Sequence, residues 1–350
     1  MPKGKILVAV LNWGLGHATR CIPLIQKLQQ FSFQPIIASD GKALDFLMEE
    51  FPYLKYYELT SLQFSFSKNS ALNQLHLLSR SIFWNKRLQN DKLIVEKIHQ
   101  QENLSGIISD SRPYCYHEKI PCVYLTHQLK VKSGVFSEIA TAFHRRLICN
   151  FDECWVPDFK KTDSICADMS IWEKAKLPIR HIGILSDLQF QKTKLEYDYT
   201  GIVSGAEPER SKLVEKMKDS FFSLKGKKII ITGSNKNTDQ FLPNDLEIKA
   251  LANRGDVEAI LNRSKIIVAR GGYSTIMDLL QLQKTALLIP TPGQTEQLFL
   301  TCQMKKLKCF DVVSQGELSA KRIVQFEQSQ HLFNHIAFTG IDLREVFSIF

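Results

Sequence analysis

The chain has 350 residues, of which 44% are hydrophobic and 23% are charged, and its formal net charge at pH 7 is +9. This length predicts roughly two domains with separate cores, and the composition is typical of soluble globular proteins. No apolar run approaches the roughly 20 residues that span a bilayer. We identify no signal peptide. Because no zinc finger, RNP-like or helix-turn-helix pattern is evident either, nucleic acid is the least favoured partner.

The other partners expected for a basic protein are an anionic membrane surface and a phosphorylated small molecule. The eight cysteines are scattered along the chain, without a CxxC pair or another spacing typical of metal ligands. They predict reduced, mostly buried thiols. We therefore expect a cytoplasmic protein without a metal site.

The first half of the chain alternates apolar strands with helices of regular apolar spacing. This alternation predicts a parallel sheet with helices on both faces. The predicted strands are residues 6–11, 34–38, 106–109, 122–125 and 153–156, and the first two predicted helices are residues 18–30 and 44–51.

The first predicted strand is followed by Gly14-Leu-Gly16-His17. The two glycines allow a tight turn at the carboxyl end of a strand, where open α/β sheets bind ligands. Thr19 replaces the third glycine of a GxGxxG loop, and the Gly-Lys-Ser/Thr ending of a P-loop is missing. His17 opens the next helix beside this turn and is a candidate general base, although a single histidine is more often structural.

Asp110 ends another predicted strand on the same side of the sheet as His17. Its carboxylate would orient His17 or take a proton from an acceptor itself. Alternatively, Asp110 and Ser111 are ordinary turn-forming residues at a strand end.

Residues 61–90 interleave large apolar side chains with lysines and arginines. A basic amphipathic helix of this kind can lie in a membrane interface, which would make the protein peripheral on the inner face of a membrane. The same pattern is also typical of a core helix with a solvated basic face.

The alternation of strands and helices restarts near residue 199, which predicts a second α/β domain. We expect an N-terminal Rossmann-like domain, a linker, a C-terminal Rossmann-like domain and an apolar tail. The two domains are expected to face each other across a ligand-binding cleft, with the tail forming a helix that packs back on the N-terminal domain. The predicted boundaries are 1–180, 181–198, 199–330 and 331–350; the predicted strands of the second domain are 199–204, 228–232, 266–269 and 286–289, and its helices are 209–220, 256–262 and 275–282.

The strand at 266–269 leads into Arg270-Gly271-Gly272-Tyr-Ser274-Thr275. A glycine turn lets the backbone approach a phosphate, and a helix N-terminus offers free N–H groups with a partial positive charge. Ser274 and Thr275 are predicted to cap that helix. The alternative is an ordinary strand–turn–helix corner.

Asp278 lies one turn into the same helix, where a carboxylate would reach a ribose hydroxyl. The next strand ends in a Pro/Gly loop that carries Gln294, Glu296 and Gln297. These residues complete a predicted site for a nucleotide diphosphate.

Two further loops follow predicted strands of the second domain. In the first, Ser204 and Gly205 turn the chain, and Arg210 on the first helical turn either reaches a phosphate or stays solvated. In the second, Gly233 and Ser234 are predicted to line the same site.

Three motifs carry a resemblance to a known family: Gly14-x-Gly-His-x-x-Arg20-x-x-Pro-Leu24, Arg270-Gly-Gly-x-Ser-Thr-x-x-Asp278 and Pro290-x-Pro-Gly-Gln-x-Glu-Gln297. Together they resemble the GT-B glycosyltransferases, and most closely those allied to the N-acetylglucosaminyltransferase that makes lipid II, in family 28. The resemblance spans nearly the whole chain, with the motifs in the family's order.

The resemblance implies roles for particular residues of the N-terminal domain. The family's glycine–histidine loop faces the acceptor and the donor phosphates, which implies these roles for Gly14, Gly16 and His17. A second loop of the family corresponds loosely to residues 126–129 and implies donor binding by His127.

In the C-terminal domain, the resemblance places the family's acidic ribose-binding residue on Asp278, which is one methylene shorter than the usual glutamate. The family's glutamine pair corresponds to Glu296 and Gln297, so the first glutamine is replaced here. The loop from Ser204 to Arg210 takes the place of the family's first glycine loop in this domain.

The resemblance implies transfer of a sugar, with inversion, from a nucleotide diphosphate sugar, with UDP expected, to an unidentified acceptor. A lipid-linked acceptor fits the apolar and basic segment 61–90. The chain contains no Asp-x-Asp metal motif, so we expect neither a metal nor a cofactor beyond the donor.

Two alternatives remain open. The N-terminal motif is also similar to the UDP-sugar hydrolases of the pseudaminic acid pathway, in which His17 would activate water. The third hypothesis is a catalytically silent scaffold that binds a nucleotide sugar.

Overall fold

The computed structural model describes residues 3–61, 87–132, 137–160, 164–233, 239–250, 252–332 and 343–350. The chain forms two compact units, an N-terminal unit of Met1–Leu185 with Gly340–Phe350 and a C-terminal unit of Ser186–Thr339. The boundary between Leu185 and Ser186 lies inside the predicted linker 181–198. Most of residues 61–90, together with Ser234 and residues 333–342, lies outside the described residues, so the predictions made for them are not addressed by the structure.

The N-terminal unit is a seven-stranded sheet with strand order β3-β2-β1-β4-β5-β6-β7, and every pairing between its described strands is parallel. Crossover connections join the successive strands, as parallel pairing requires, and most of them contain a helix, whereas β4 passes to β5 through a helix-free segment, residues 111–121. Its strands are β1 (Gly4–Val10), β2 (Phe33–Ser39), β3 (Lys55–Glu58), β4 (Gly106–Asp110), β5 (Cys122–Leu125), β6 (Glu153–Val156) and β7 (Ile179–His181), and its first four described helices are α1 (Gly16–Gln30), α2 (Gly41–Glu50), α3 (Asn90–Glu102) and α4 (Ser137–Ile148).

The strand order fixes where a ligand binds in such a sheet. The chain adds β2 and β3 on one side of β1 and then crosses to add β4 on the other side. Ligands of open α/β sheets bind beyond the carboxyl ends of the strands at this point of reversal. In the N-terminal unit, that point lies where β1 and β4 end.

A buried ion network holds the carboxyl ends of these strands together. The fully buried Arg112 guanidinium pairs with Asp40, just after β2, and with Asp91 of α3, 2.9 Å away. It also donates to the backbone carbonyl of Val10 at the end of β1, 3.3 Å away. Because Arg112 follows β4, one side chain ties together the ends of three neighbouring strands.

The C-terminal unit repeats the plan, with strand order β10-β11-β9-β8-β12-β13-β14. The pairings are parallel except for the β10–β11 hairpin at one edge. Its strands are β8 (Tyr197–Ile202), β9 (Lys228–Ile231), β10 (Gln240–Leu242), β11 (Leu246–Lys249), β12 (Ser264–Arg270), β13 (Leu287–Ile289) and β14 (Asp311–Val312), and its helices are α5 (Glu209–Phe222), α6 (Arg254–Asn262), α7 (Tyr273–Gln281), α8 (Thr295–Lys306) and α9 (Ala320–Ser329).

The end of the chain returns to the N-terminal unit, as predicted. The last helix, α10 (Leu343–Val346), leads into Phe347 and Phe350, whose rings lie 5.7 and 5.9 Å from the buried Trp155 ring of β6. Both rings also lie 6.4 Å from the ring of Phe33 in β2. This aromatic cluster anchors the C-terminus on the first sheet.

The two Rossmann-like α/β units confirm the predicted fold class, and the apolar runs located most strands. The sequence did not reveal the short strands β3, β7, β10, β11 and β14, which have two to four residues each. Among the described residues, no helix has both the length and the hydropathy needed to cross a membrane.

Candidate functional site

His17 and Asp110 meet at the point of strand reversal in the N-terminal unit. Asp110 is the last residue of β4, and His17 is the second residue of α1. Gly14 turns the chain between β1 and α1 with φ of 72°, in the left-handed region that favours glycine. The predicted proximity is confirmed, because His17 Nδ1 lies 3.1 Å from Asp110 Oδ1.

Arg20, which the sequence prediction did not place in the site, organises this pair. Its Nε donates to Asp110 Oδ2 at 2.8 Å, and its Nη2 donates to Asp110 Oδ1. Arg20 is 3% exposed and Asp110 is fully buried, so their ion pair is shielded from water. Arg20 lies one helical turn after His17, and this spacing is the sequence signal that could have identified it.

The buried charges set the protonation states of the pair. Burial lowers the pKa of His17 below its ordinary value, and the positive charge of Arg20 lowers it further, against the opposing effect of Asp110. Burial alone would raise the pKa of Asp110, but the charge of Arg20 and the hydrogen bonds from His17 and Arg20 outweigh it and hold that pKa below its ordinary value. At neutral pH the site therefore holds a neutral imidazole beside an ionised carboxylate.

Two proton arrangements fit the geometry of His17. Its Nδ1 lies 3.1 Å from Asp110 Oδ1 and 2.8 Å from Arg20 Nη2. A proton on Nδ1 would be donated to the carboxylate and would leave the Nε2 lone pair available; Arg20 Nη2 would then lose its hydrogen bond to Nδ1 and keep the one to Asp110. A proton on Nε2 would instead make Nδ1 an acceptor for Arg20.

The structure brings His127 into the same network. Arg20 Nη1 lies 3.1 Å from His127 Nδ1, and the His127 residue is 7% exposed. Because arginine only donates, Nδ1 of His127 is the acceptor and its proton resides on Nε2 when the ring is neutral. His127 thus shares Arg20 with His17, a link that the loose loop resemblance did not predict.

In the C-terminal unit, the corresponding reversal lies between β8 and β12. Gly271 and Gly272 follow β12, and α7 begins at Tyr273 with Gly272 as its N-cap. The prediction that Ser274 and Thr275 cap this helix is therefore wrong, because both lie in its first turn. Their position in the first turn still places their backbone N–H groups at the positive end of the helix.

Gly271 is required by close packing. A Cβ atom at this position would overlap Thr301 Cγ2 of α8. Gly272 differs, because a Cβ atom there would meet only ordinary contacts, with Thr275 Oγ1 at 3.8 Å and Gln297 Nε2 at 3.9 Å. The first glycine brings the end of β12 against α8, and the second leaves the approach to the α7 N-terminus uncrowded.

Arg270 lies beneath these loops. Its fully buried guanidinium donates to the carbonyl of Pro290 at 3.3 Å and to that of Glu209 at 3.0 Å, while Nε has no partner among the described residues. Burial lowers the pKa of Arg270 to about 10. Through these contacts Arg270 links the ends of β12 and β13 to the start of α5. Its predicted contact with a phosphate stays a prediction.

Arg210 also joins two loops. It pairs with Glu207 of its own loop and donates to the carbonyl of Gly233, after β9. Gly233 has φ of 61°, and a Cβ atom there would lie 2.7 Å from the carbonyl oxygen of Val203. The predicted Ser204 and Gly205 lie in the first of these loops, where Gly205 has φ of 108° and open space around it.

The loop after β13 leads into α8. Gln294 is the N-cap residue of α8, and Glu296 lies in its first turn. The Gln297 side chain, in the same turn, accepts from the backbone N–H of Thr291 at 2.8 Å and so fixes the loop that precedes α8. The structure therefore places all three predicted residues at the carboxyl edge of the sheet.

Asp278 lies in an ion network that the sequence did not reveal. Arg254 of α6 donates to both of its carboxylate oxygens at 2.9 Å, and Ser186 donates to Oδ1 at 2.6 Å. Arg254 also pairs with Asp187. The partners lie 24 and 92 positions from Asp278, so no local pattern links them.

The C-terminal unit is similar to a known protein family. Residues 205–334 match the glycosyltransferase family 28 C-terminal domain. No curated protein sequence matches the chain.

Solved structures show the same fold over 93–95% of the chain. The kitacinnamycin glycotransferase has a TM-score of 0.65 at 14% identity, over 94% of this chain and 91% of its own. Arabidopsis thaliana UGT89C1, complexed with UDP-L-rhamnose, has a TM-score of 0.64 at 13% identity, over 93% and 90%. MurG of Acinetobacter baumannii has a TM-score of 0.55 at 12% identity, over 95% and 92%.

Proposed function

We propose that the protein, whose fold is that of the GT-B glycosyltransferases and whose residues 205–334 match the glycosyltransferase family 28 C-terminal domain, transfers a sugar from a UDP-sugar to an acceptor hydroxyl. The proposed reaction needs neither a metal nor a cofactor and inverts the anomeric carbon. The observation that carries the proposal is the His17–Asp110 pair at the strand reversal of the N-terminal unit. The UDP-L-rhamnose bound to a protein of the same fold supports a UDP-sugar as donor.

In the proposed mechanism, His17 is the general base. Asp110 accepts a hydrogen bond from His17 Nδ1–H, which holds the proton on Nδ1 and leaves the Nε2 lone pair for the acceptor hydroxyl. The acceptor oxygen bonds to the anomeric carbon, its proton moves to Nε2, and the bond from that carbon to the diphosphate oxygen breaks. The lowered pKa of His17 supports this role, because the imidazole is already neutral at neutral pH.

The leaving diphosphate is assigned to the C-terminal unit. The Gly271–Gly272 loop and the first turn of α7, with Ser274 and Thr275, offer backbone N–H groups and the positive end of a helix. Such preorganised donors stabilise charge that develops in the transition state and are often the largest single contribution to catalysis. The match to family 28 includes both features.

We place the enzyme in the cytoplasm, with a lipid-linked acceptor and a peripheral contact with an anionic membrane. The net charge of +9 and the alternation of apolar and basic residues in 61–90 support this part of the proposal. Flotation of the protein with liposomes of anionic and of neutral lipid tests it. Equal recovery with both would contradict it.

The first experiment is a thermal-shift screen of UDP, GDP, TDP and their sugars with EDTA present, followed by NMR of the donor that stabilises the protein. We expect stabilisation by UDP and its sugars and slow donor hydrolysis without an acceptor. Rapid release of free sugar would favour the hydrolase, and binding without any turnover would favour the scaffold. No shift with any nucleotide would contradict donor binding.

The substitution His17→Ala tests the base. Turnover should fall about 10²–10⁴-fold, while the affinity for UDP stays unchanged, because the diphosphate is assigned to the other unit. His331→Ala, the same change at an exposed histidine, is the control. Full turnover in the His17 variant would remove His17 from the mechanism.

A further inference from the structure

The network around Asp278 brings three elements of the C-terminal unit together. Arg254 is the first residue of α6, Asp278 lies within α7, and Ser186 and Asp187 belong to the segment that precedes β8. The side chains of Arg254, Asp187 and Asp278 are 10, 8 and 13% exposed. The cluster is therefore nearly buried, and Asp278 is the most exposed of the three side chains.

The hydrogen bonds fix the plane of the Asp278 carboxylate. Arg254 Nη2 donates to Oδ1 and Nη1 to Oδ2, each at 2.9 Å, in the parallel two-bond arrangement that a planar guanidinium makes with a carboxylate. Arg254 Nε donates to Asp187 Oδ1 at 2.9 Å, so the guanidinium is itself held from its other edge. Neither Arg254 nor Asp278 can rotate without breaking several charge-assisted bonds.

The same bonds leave one acceptor position on Asp278. A carboxylate offers about four lone-pair positions. Oδ1 accepts from Ser186 Oγ at 2.6 Å and from Arg254, whereas Oδ2 accepts from Arg254 alone among the residues that the structure describes. The remaining position on Oδ2 can take one further donor, such as one hydroxyl group.

We propose that Arg254 is a positioning residue that aims this open position of Asp278 at a single ribose hydroxyl of the donor. The inference rests on the proposed function, since it assumes a nucleotide-sugar donor. A lysine cannot replace the two-bond contact, because its ammonium group is a compact point charge on a flexible stem. Arg254 thereby sets how strongly the protein distinguishes a ribose from a deoxyribose.

The test is calorimetry of the full chain with UDP, 2′-deoxy-UDP and 3′-deoxy-UDP. We expect the wild type to lose about tenfold or more in affinity for one of the two deoxy ligands and little for the other, as for one lost hydrogen bond to a charged group. In Arg254→Lys, UDP should bind more weakly and that tenfold difference should nearly vanish. In enzyme assays, KM for the donor should rise while kcat stays close to the wild-type value.

Arg263→Lys is the matched control, because Arg263 follows α6 at its other end and pairs with the exposed Glu196. It should leave the affinities for all three ligands unchanged. A folded Arg254→Lys variant that distinguishes the deoxy ligands as well as the wild type would overturn the inference. If that variant does not fold, Ser186→Ala removes one bond to Asp278 without changing a charge, and unchanged discrimination there would overturn the inference as well.

The wild-type results distinguish a failure of the proposed function from a failure of the role proposed for Arg254 and Asp278. Binding of none of the three ligands would contradict the proposed function. Binding of all three with equal affinity would leave the donor site in place and overturn the role of Asp278 and Arg254.

Discussion

The His17 imidazole lies between a buried cation and a buried anion, and this position determines how activity should depend on pH. Burial and Arg20 lower the pKa of His17, whereas Asp110 raises it. A base acts only when unprotonated, so the rate should fall as the pH drops through that pKa. In the wild type, this acidic limb should lie below pH 6.5, the ordinary value for histidine.

Arg20→Gln removes the cation and leaves Asp110 as the main charge beside His17. The pKa of His17 should then rise, so the acidic limb of the kcat profile should move to higher pH. Arg20→Lys keeps the charge and should shift the limb less. Profiles of kcat from about pH 4.5 to 8, with NMR titration of the imidazole, measure both effects. A folded Arg20→Gln variant with an unshifted limb would show that Arg20 does not control His17.

The sequence predicted that His17 and Asp110 lie together, but it did not place the arginines that hold the site residues. Parallel strands end at the same edge of a sheet, so residues that follow β1 and β4 could be placed together although 93 positions separate His17 from Asp110. Arg20 and Arg254 were missed because a charged residue on a helix is usually solvated. For Arg20, the one-turn spacing from His17 shows which helix face the two share, but whether a face is buried depends on packing that no local pattern encodes.

At the scale of elements, the turn between β12 and α7 requires a residue without a side chain at position 271. Gly271→Ala should clash with Thr301 Cγ2 and cost about 1–3 kcal/mol of stability, as overpacking does. Thr301→Ser removes that methyl group but keeps the hydroxyl that donates to the carbonyl of Gln297. The double variant should therefore recover most of the loss, which chemical denaturation measures.

Gly272→Ala is the control for the Gly271 and Thr301 variants, because its new Cβ atom meets only ordinary contacts. It should cost less than Gly271→Ala. Equal costs at the two glycines, or no recovery with Thr301→Ser, would mean that the steric contact does not limit this turn.

Strands were predictable where they are apolar and buried. The predicted bounds of β5 and β6 match the structure, because every residue in them is buried and polar or turn residues follow at once. β3 was missed because its sequence Lys-Tyr-Tyr-Glu is largely exposed and lacks a hydrophobic signal. β14 has only two residues, which is too short for any periodicity.

At the scale of the whole molecule, the chain leaves the N-terminal unit after Leu185 and returns to it at the end. The apolar pattern of the tail predicted that it packs, and the aromatic cluster shows where. Phe347 is 3% exposed and lies against Trp155 and Phe31. The last residues therefore contribute to the core of the first domain, although the second domain separates them from it in sequence.

Phe347→Ala should destabilise the N-terminal unit by about 3 kcal/mol, the cost of removing a buried aromatic ring, and leave the C-terminal unit unchanged. Hydrogen exchange by mass spectrometry measures the stability of each unit separately. Peptides of β2 and β6 should exchange faster in the variant, while those of β9 and β12 should not. Phe222→Ala, at a ring in the C-terminal unit that is 50% exposed, should change neither set. Equal acceleration in both units would show instead that they unfold as one, so that the tail stabilises the whole chain rather than one domain.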